Sequence, residues 1–275
     1  MPALLKLVPR LEYMPDGLEI GGGERSNTMV MNLPLQQLAW LVCARSERQR
    51  RADAKRCATG NAHVAVTGHA KLDALRDLGN GRTPELEKFA AGRKLIGWNP
   101  HFDLRPNGSR FGRGFSTFTG WWKFVVSEFA RRRDSLALVI RPHPLLFVAL
   151  TSRGIWAQAE IDEFHGAAAA AGNIMLDRGA SDLGLFAQSA AMLSDASSFV
   201  LEYSATGKPL LYLHNPAGPA LNEDGEFVGA HLYTAHHESD ITDFLDMVAA
   251  GDDPLGEALA ARTARLAPGC ELLAS

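Results

Sequence analysis

Short, uninterrupted apolar runs alternate with segments of helical spacing along most of the chain. The runs lie within 63–68 (HVAVTG), 94–102 (KLIGWNPHF), 135–144 (SLALVIRPHP), 173–177 (NIMLD), 190–195 (AAMLSD) and 208–214 (KPLLYLH). Between them, 71–78, 83–92, 117–133, 155–172, 181–189 and 197–207 read as helices. Strands that are apolar throughout belong in a parallel sheet covered on both faces. The pattern predicts an α/β fold: a doubly wound, mainly parallel Rossmann-like sheet over roughly 62–250, with tail helices at 238–251 and 253–266. In such sheets ligands bind in the crevice beyond the carboxyl ends of the strands.

Residues 1–61 are less regular. The stretch GLEIGGGERSN at 17–27 reads as a loop. Residues 33–57, apolar first and Lys/Arg-rich later, read as one helix whose basic end suits the negative pole of the helix dipole. The chain therefore divides into a short N-terminal remnant, 1–61, and a Rossmann-like unit with tail helices, 62–275.

Composition changes this picture little. The 275 residues are 46% hydrophobic and 21% charged, ordinary for a globular protein with a sizeable core. A net charge of −3 offers no global basic field for nucleic acid. Cys43, Cys57 and Cys270 have no metal-ligand spacing and form no disulfide framework, which fits a reducing cytoplasm. No apolar run approaches the roughly 20 residues of a membrane helix, so any membrane attachment is expected to be peripheral, on the inner face.

The chemistry lies just after the strands. Thr67-Gly68-His69, Trp98-Asn99-Pro100-His101, Arg141-Pro142-His143-Pro144 and Ser194-Asp195-Ala196-Ser197-Ser198 are the candidate segments. Two prolines stiffen the backbone around His143. Beside a diphosphate, Arg141 would make a bidentate contact and His143 would donate to an oxygen; the plain alternative is a Pro-rich loop with a solvated Arg. Ser197 and Ser198 fall at a helix start, where free N–H groups and the dipole favour an anion. Asp195 is expected to cap that helix rather than act in catalysis. Glu202, one turn along, reaches toward ligand hydroxyls or lies on the polar face. His236-His237 diverge too far to chelate a metal, and Trp121-Trp122 fits a core-packed helix.

The motif RPHP at 141–144, followed some fifty residues on by LSDASSFVLEYSATGKPLLYL, resembles the CDP-glycerol glycerophosphotransferase family of teichoic-acid primases and polymerases. YMPDG (13–17), VTGHAKLDAL (66–75), IGWNPHFD (96–103) and HLYTAHHESDITDFLDMV (231–248) resemble further family segments in the same order. The resemblance implies a GT-B fold, of which this chain holds the C-terminal half. It implies a CDP-activated polyol donor and a glycopolymer or lipid-linked acceptor, with no metal and no cofactor. Carried over, Arg141, His143, Ser197 and Ser198 would bind the donor phosphates and Glu202 the ribose or glycerol. The chain departs from the family in lacking the N-terminal His-Gly motif of the general base; its first histidine is His63. His69 replaces a Pro, Lys71 an Arg, and Asp16 a Tyr of the family pattern. His101 or His69 would have to serve as the substitute base. Two other readings stay open: a GT-B glycosyltransferase using a nucleotide sugar, and a non-catalytic nucleotide-binding remnant.

Overall fold

The apolar runs become strands, and their order explains where the polar residues gather. The computed structural model describes residues 10–15, 17–22, 31–75, 81–106, 114–179, 181–195, 197–230 and 232–256. Six strands form one sheet: β4 (Lys94–Asn99), β5 (Leu136–Ile140), β6 (Ile174–Leu176), β7 (Ala191–Ser194), β8 (Leu210–Leu213) and β9 (Tyr233–Ala235). Their order is β6-β5-β4-β7-β8-β9, and every neighbouring pair is parallel. The chain runs outward from β4 to β6, then returns to the other side of β4 for β7 to β9. That reversal creates a switch point between β4 and β7, where Asn99 and Ser194 are register partners.

Alternate strand residues feed two cores, as expected for a sheet covered on both faces. Ile96, Trp98, Leu138 and Ile140 pack with α5 (Phe118–Arg131), α6 (Leu146–Ser152), α7 (Gln158–Ala171) and α11 (Glu238–Ala250). Leu95, Ala137, Val139 and Met192 pack with α4 (Pro84–Ala90), α8 (Leu183–Gln188), α9 (Ser198–Ser204) and α10 (Glu223–Gly229). Trp122 is buried in the first core, so the Trp-rich helix is a packing element. No helix among the described residues is long and apolar enough to cross a membrane.

The N-terminal region departs from expectation. Residues 33–57 are not one helix but α1 (Pro34–Leu38), β2 (Leu41–Ala44) and α2 (Glu47–Arg56). The run Leu41-Val42-Cys43-Ala44 is long enough for a buried strand, and Ser46 restarts the chain as a helix by accepting from the Gln49 N–H at 3.1 Å. β1 (Glu12–Tyr13), β2 and β3 (Val64–Val66) form a second parallel sheet in that order. The strand at 64–66 therefore pairs with β2 and not with the larger sheet, and the smaller sheet crosses the division drawn at residue 61. It leads into α3 (Ala70–Leu75). The expected tail helix at 253–266 lies largely outside the described residues, as do 23–27 of the glycine-rich stretch.

The two units are joined by short-range polar contacts. Gly22 N–H donates to Ala220 O at 2.9 Å, and Asn222 N–H to Ile20 O at 2.8 Å. The buried Asp224 carboxylate accepts from Arg45 and, at 3.0 Å, from Arg48.

Candidate functional site

The switch point is where the predicted residues meet. Asn99, last residue of β4, donates Nδ2 to Arg141 O at 2.9 Å and accepts from Ser197 Oγ at 2.8 Å. Ser194 Oγ lies 3.2 Å from Ser197 Oγ. The His101 and His143 rings are 6.0 Å apart, and Phe102 stacks on His143 at 4.2 Å. Strand ends β4, β5 and β7 and the start of α9 thus share one polar floor.

Asp195 is fully buried, and its role differs from the one expected. The cap of α9 is Ser197, whose Oγ accepts from the Phe199 N–H at 3.3 Å. Asp195 instead accepts from His101 N–H at 2.8 Å, from Thr117 N–H at 3.3 Å and from the Thr117 hydroxyl. It ties the loop after β4 to the start of α5. Desolvation pushes its carboxyl up to about 6, against the pull of these hydrogen bonds.

The two candidate bases fare differently from expectation. His69 is buried, with Nε2 on Pro15 O at 3.1 Å and Nδ1 accepting from Lys71 N–H at 3.3 Å. Nε2 holds Pro15 and Nδ1 holds the start of α3, which leaves no lone pair for an acceptor hydroxyl. His101 Nδ1 accepts from Asp103 N–H at 3.1 Å, so the neutral ring carries its proton on Nε2. Burial, with His143 and Arg105 nearby, lowers its pKa to about 4 despite Asp103. At neutral pH His101 is a hydrogen-bond donor rather than a base. His143 is set the same way, its Nδ1 accepting from Leu145 N–H at 3.1 Å.

Arg141 sits at the end of β5 but turns toward β6. It pairs with Asp177 at 2.6 Å and donates to Gly179 O at 2.9 Å. With Pro142, His143, Pro144 and Phe147 it lines a cavity of about 440 Å³, within the range of small-molecule sites. Glu202 is only 1% exposed, so it is neither a surface residue nor open to the crevice. Lys71 Nζ holds it at 3.1 Å and stands 3.8 Å from Asp182. Burial raises the Glu202 pKa, while Lys71 opposes the rise. Ser198 lies beside Gly17, where an added Cβ would stand 3.5 Å from Ser198 Cβ. Asn99 lies in a candidate segment and Lys71 at a family Arg position, both without an expected partner, while Thr117 carries no signal in the sequence.

No family model and no curated protein matches the chain. Solved structures do. A UDP co-structure of S. aureus MnaA matches with a TM-score of 0.55 and 16% identity, over 94% of this chain and 63% of that one. A UDP-N-acetylglucosamine 2-epimerase matches at 0.53 and 16%, over 89% and 59%. A variant of the wall teichoic acid polymerase TagF matches at 0.56 and 12%, over 95% and 65%. The fold is Rossmann-like α/β of the GT-B kind. The chain spans less than two thirds of the length of these neighbours.

Proposed function

We propose that the protein transfers glycerol phosphate, or another polyol phosphate, from a CDP-alcohol to a hydroxyl of a cell-surface glycopolymer precursor. The observation that carries this reading is the collection of Asn99, His101, Ser194, Asp195 and Ser197 at the β4/β7 switch point, with His143 alongside. Open α/β sheets bind nucleotides at such a point. The RPHP and SDASS segments that resemble the CDP-glycerol enzymes are the two that converge there. The fold shared with TagF supports the same reading.

In this scheme His101 and His143 donate from Nε2 to the donor diphosphate, and Asp195 keeps the His101 loop in place. The nucleoside lies toward the cavity beside Arg141, Pro142 and Phe147. The acceptor oxygen attacks the β-phosphorus, the bond to the bridging oxygen breaks, and CMP leaves. Catalysis rests on positioning and on stabilising charge at the phosphoryl group. His69 and His101 offer no lone pair, so the acceptor proton passes to solvent as its oxygen bonds to phosphorus and CMP departs.

The reading is tested by CMP release from CDP-glycerol in the presence of a glycerol-phosphate-primed acceptor. The expected result is CMP release that falls about 100-fold or more in His143→Ala, the scale of losing an electrostatic contact to the transferred group. UDP release from a UDP-sugar with no CMP release would replace it with the nucleotide-sugar alternative. Donor binding without turnover would favour the nucleotide-binding remnant.

A further inference from the structure

We infer that a second anion site, separate from the crevice, lies in the groove between α2 and α10, and that it takes a phosphate ester bearing hydroxyls. The groove holds about 500 Å³. Arg48, Arg51, Lys55 and Arg56 line one side; Glu223 and Glu226 line the other. None of them lines the cavity at Arg141 and His143.

Helical spacing builds the basic wall, since 48, 51 and 55 share one face of α2. The acidic wall is the first turn of α10. A buried carboxylate fixes the two walls together: Asp224, 4% exposed, receives both Arg45 and Arg48. Asn222 caps α10 by accepting from Gly225 N–H at 2.9 Å and donates to Glu19 O at 2.9 Å. Gly225 has no room for a Cβ, which would stand 2.9 Å from Ile20 O. The backbone of both walls is therefore fixed, and Arg51, Lys55, Glu223 and Glu226 stand exposed along it.

Charge accounting selects the ligand. Asp224 takes up Arg48, and Arg50 on the same helix pairs with Glu47 and donates to Val64 O. Arg51 and Lys55 are exposed, and among the described residues neither forms an ion pair with Glu223 or Glu226 across the groove. A bare anion would meet repulsion from the two carboxylates, and a bare cation from Arg51 and Lys55. A phosphate ester with hydroxyls satisfies both walls. Its phosphate oxygens accept from Arg51 and Lys55, and its hydroxyls donate to Glu223 and Glu226. Free polyol phosphates and phosphatidylglycerol headgroups share this chemistry.

The test is calorimetric titration of the full chain with glycerol 3-phosphate and with inorganic phosphate, beside sedimentation with phosphatidylglycerol or phosphatidylserine vesicles. His143→Ala serves as the background that removes crevice binding. Glycerol 3-phosphate, or phosphatidylglycerol if the source is a lipid, is expected to bind about tenfold more tightly than its control, a difference of about 1.4 kcal/mol. Arg51→Ala/Lys55→Ala should lose that binding, and Glu223→Gln/Glu226→Gln should lose the preference over the control. Equal binding of ester and control, or of both lipids, would reduce the groove to a general anion face and overturn the proposal. So would unchanged binding in Arg51→Ala/Lys55→Ala, or no binding in either arm.

Discussion

The two sheets of this protein are both parallel, yet one carries an extensive core of its own and the other a small one. The larger has six strands, with Ile96, Leu138, Ile140 and Leu193 fully buried between helices on both faces. The smaller has three strands of two to four residues, and its core consists of Ala39, Val42, Ala44 and Val64, with Tyr13 packed against it. Trp40 and Val66 beside it stay exposed. Apolar burial explains the first sheet. The second has a small core of its own and is tied to the larger unit by Arg45 and Arg48 on Asp224 and by the flanking Leu18, Ile20, Leu72 and Leu75, which pack in the larger unit's core. The larger sheet supplies the floor of the crevice, and Lys71, just beyond the smaller sheet, reaches the buried Glu202 on α9.

The comparison is broken most directly by Asp224→Ala. The change leaves the buried Arg45 without its carboxylate and is expected to cost about 3–5 kcal/mol. Hydrogen exchange should show β2 and β3 losing protection while β4, β5 and β7 keep theirs. Leu138→Ala is the counterpart in the larger core, expected to cost about 2–5 kcal/mol and to lower protection across all six strands together. The same profile from both substitutions would mean that the two sheets unfold as one unit.

A smaller effect sharpens the same point through pH. Asp53 on α2 is buried with neither carboxylate oxygen hydrogen-bonded. Desolvation raises its pKa to about 6, against the pull of His63 and Arg45. Folding thus favours the protonated carboxyl. Its stabilisation is full below the unfolded value near pH 4 and is lost as pH rises through about 6. Asp53→Asn should therefore gain stability over the native chain between pH 4 and 7, by up to about 3 kcal/mol. Thermal unfolding followed at pH 4.5 and 7.5 checks it; an equal shift at both would contradict the buried-carboxylate account.

The same difference decided what could be read from the sequence. Strands of the larger sheet announce themselves as continuous apolar runs, and the rule that ligands gather beyond their carboxyl ends located His101, His143 and the 194–198 segment. β2 was concealed because LVCA sits inside a longer stretch that also satisfies helical spacing. β1, of two residues, and β9, whose Tyr233-Thr234-Ala235 forms no apolar run, carry too little pattern, and α10 hides behind Gly225 and Gly229. At the site, positions were legible but partners were not. Thr117 reaches Asp195 across 78 residues, Asn99 reaches Ser197 across 98, and Lys71 reaches Glu202 across 131. Such pairings arise from the strand order, which local spacing does not encode. The caps were misassigned for a related reason: Asp195 and Ser197 both suit a helix start, and only the loop carrying Thr117 draws Asp195 away.

We propose that the β4/β7 crevice holds a nucleotide-activated polyol. The most direct test is calorimetric titration of CDP-glycerol into the purified protein, with His143→Ala and Ser197→Ala/Ser198→Ala beside it. The account predicts saturable binding at one site, weakened about tenfold or more in His143→Ala, which loses a charge-assisted hydrogen bond to phosphate, and weakened in Ser197→Ala/Ser198→Ala through loss of the α9 cap and of the Ser197 bond to Asn99. No binding of CDP-glycerol, CDP-ribitol or CDP would contradict it.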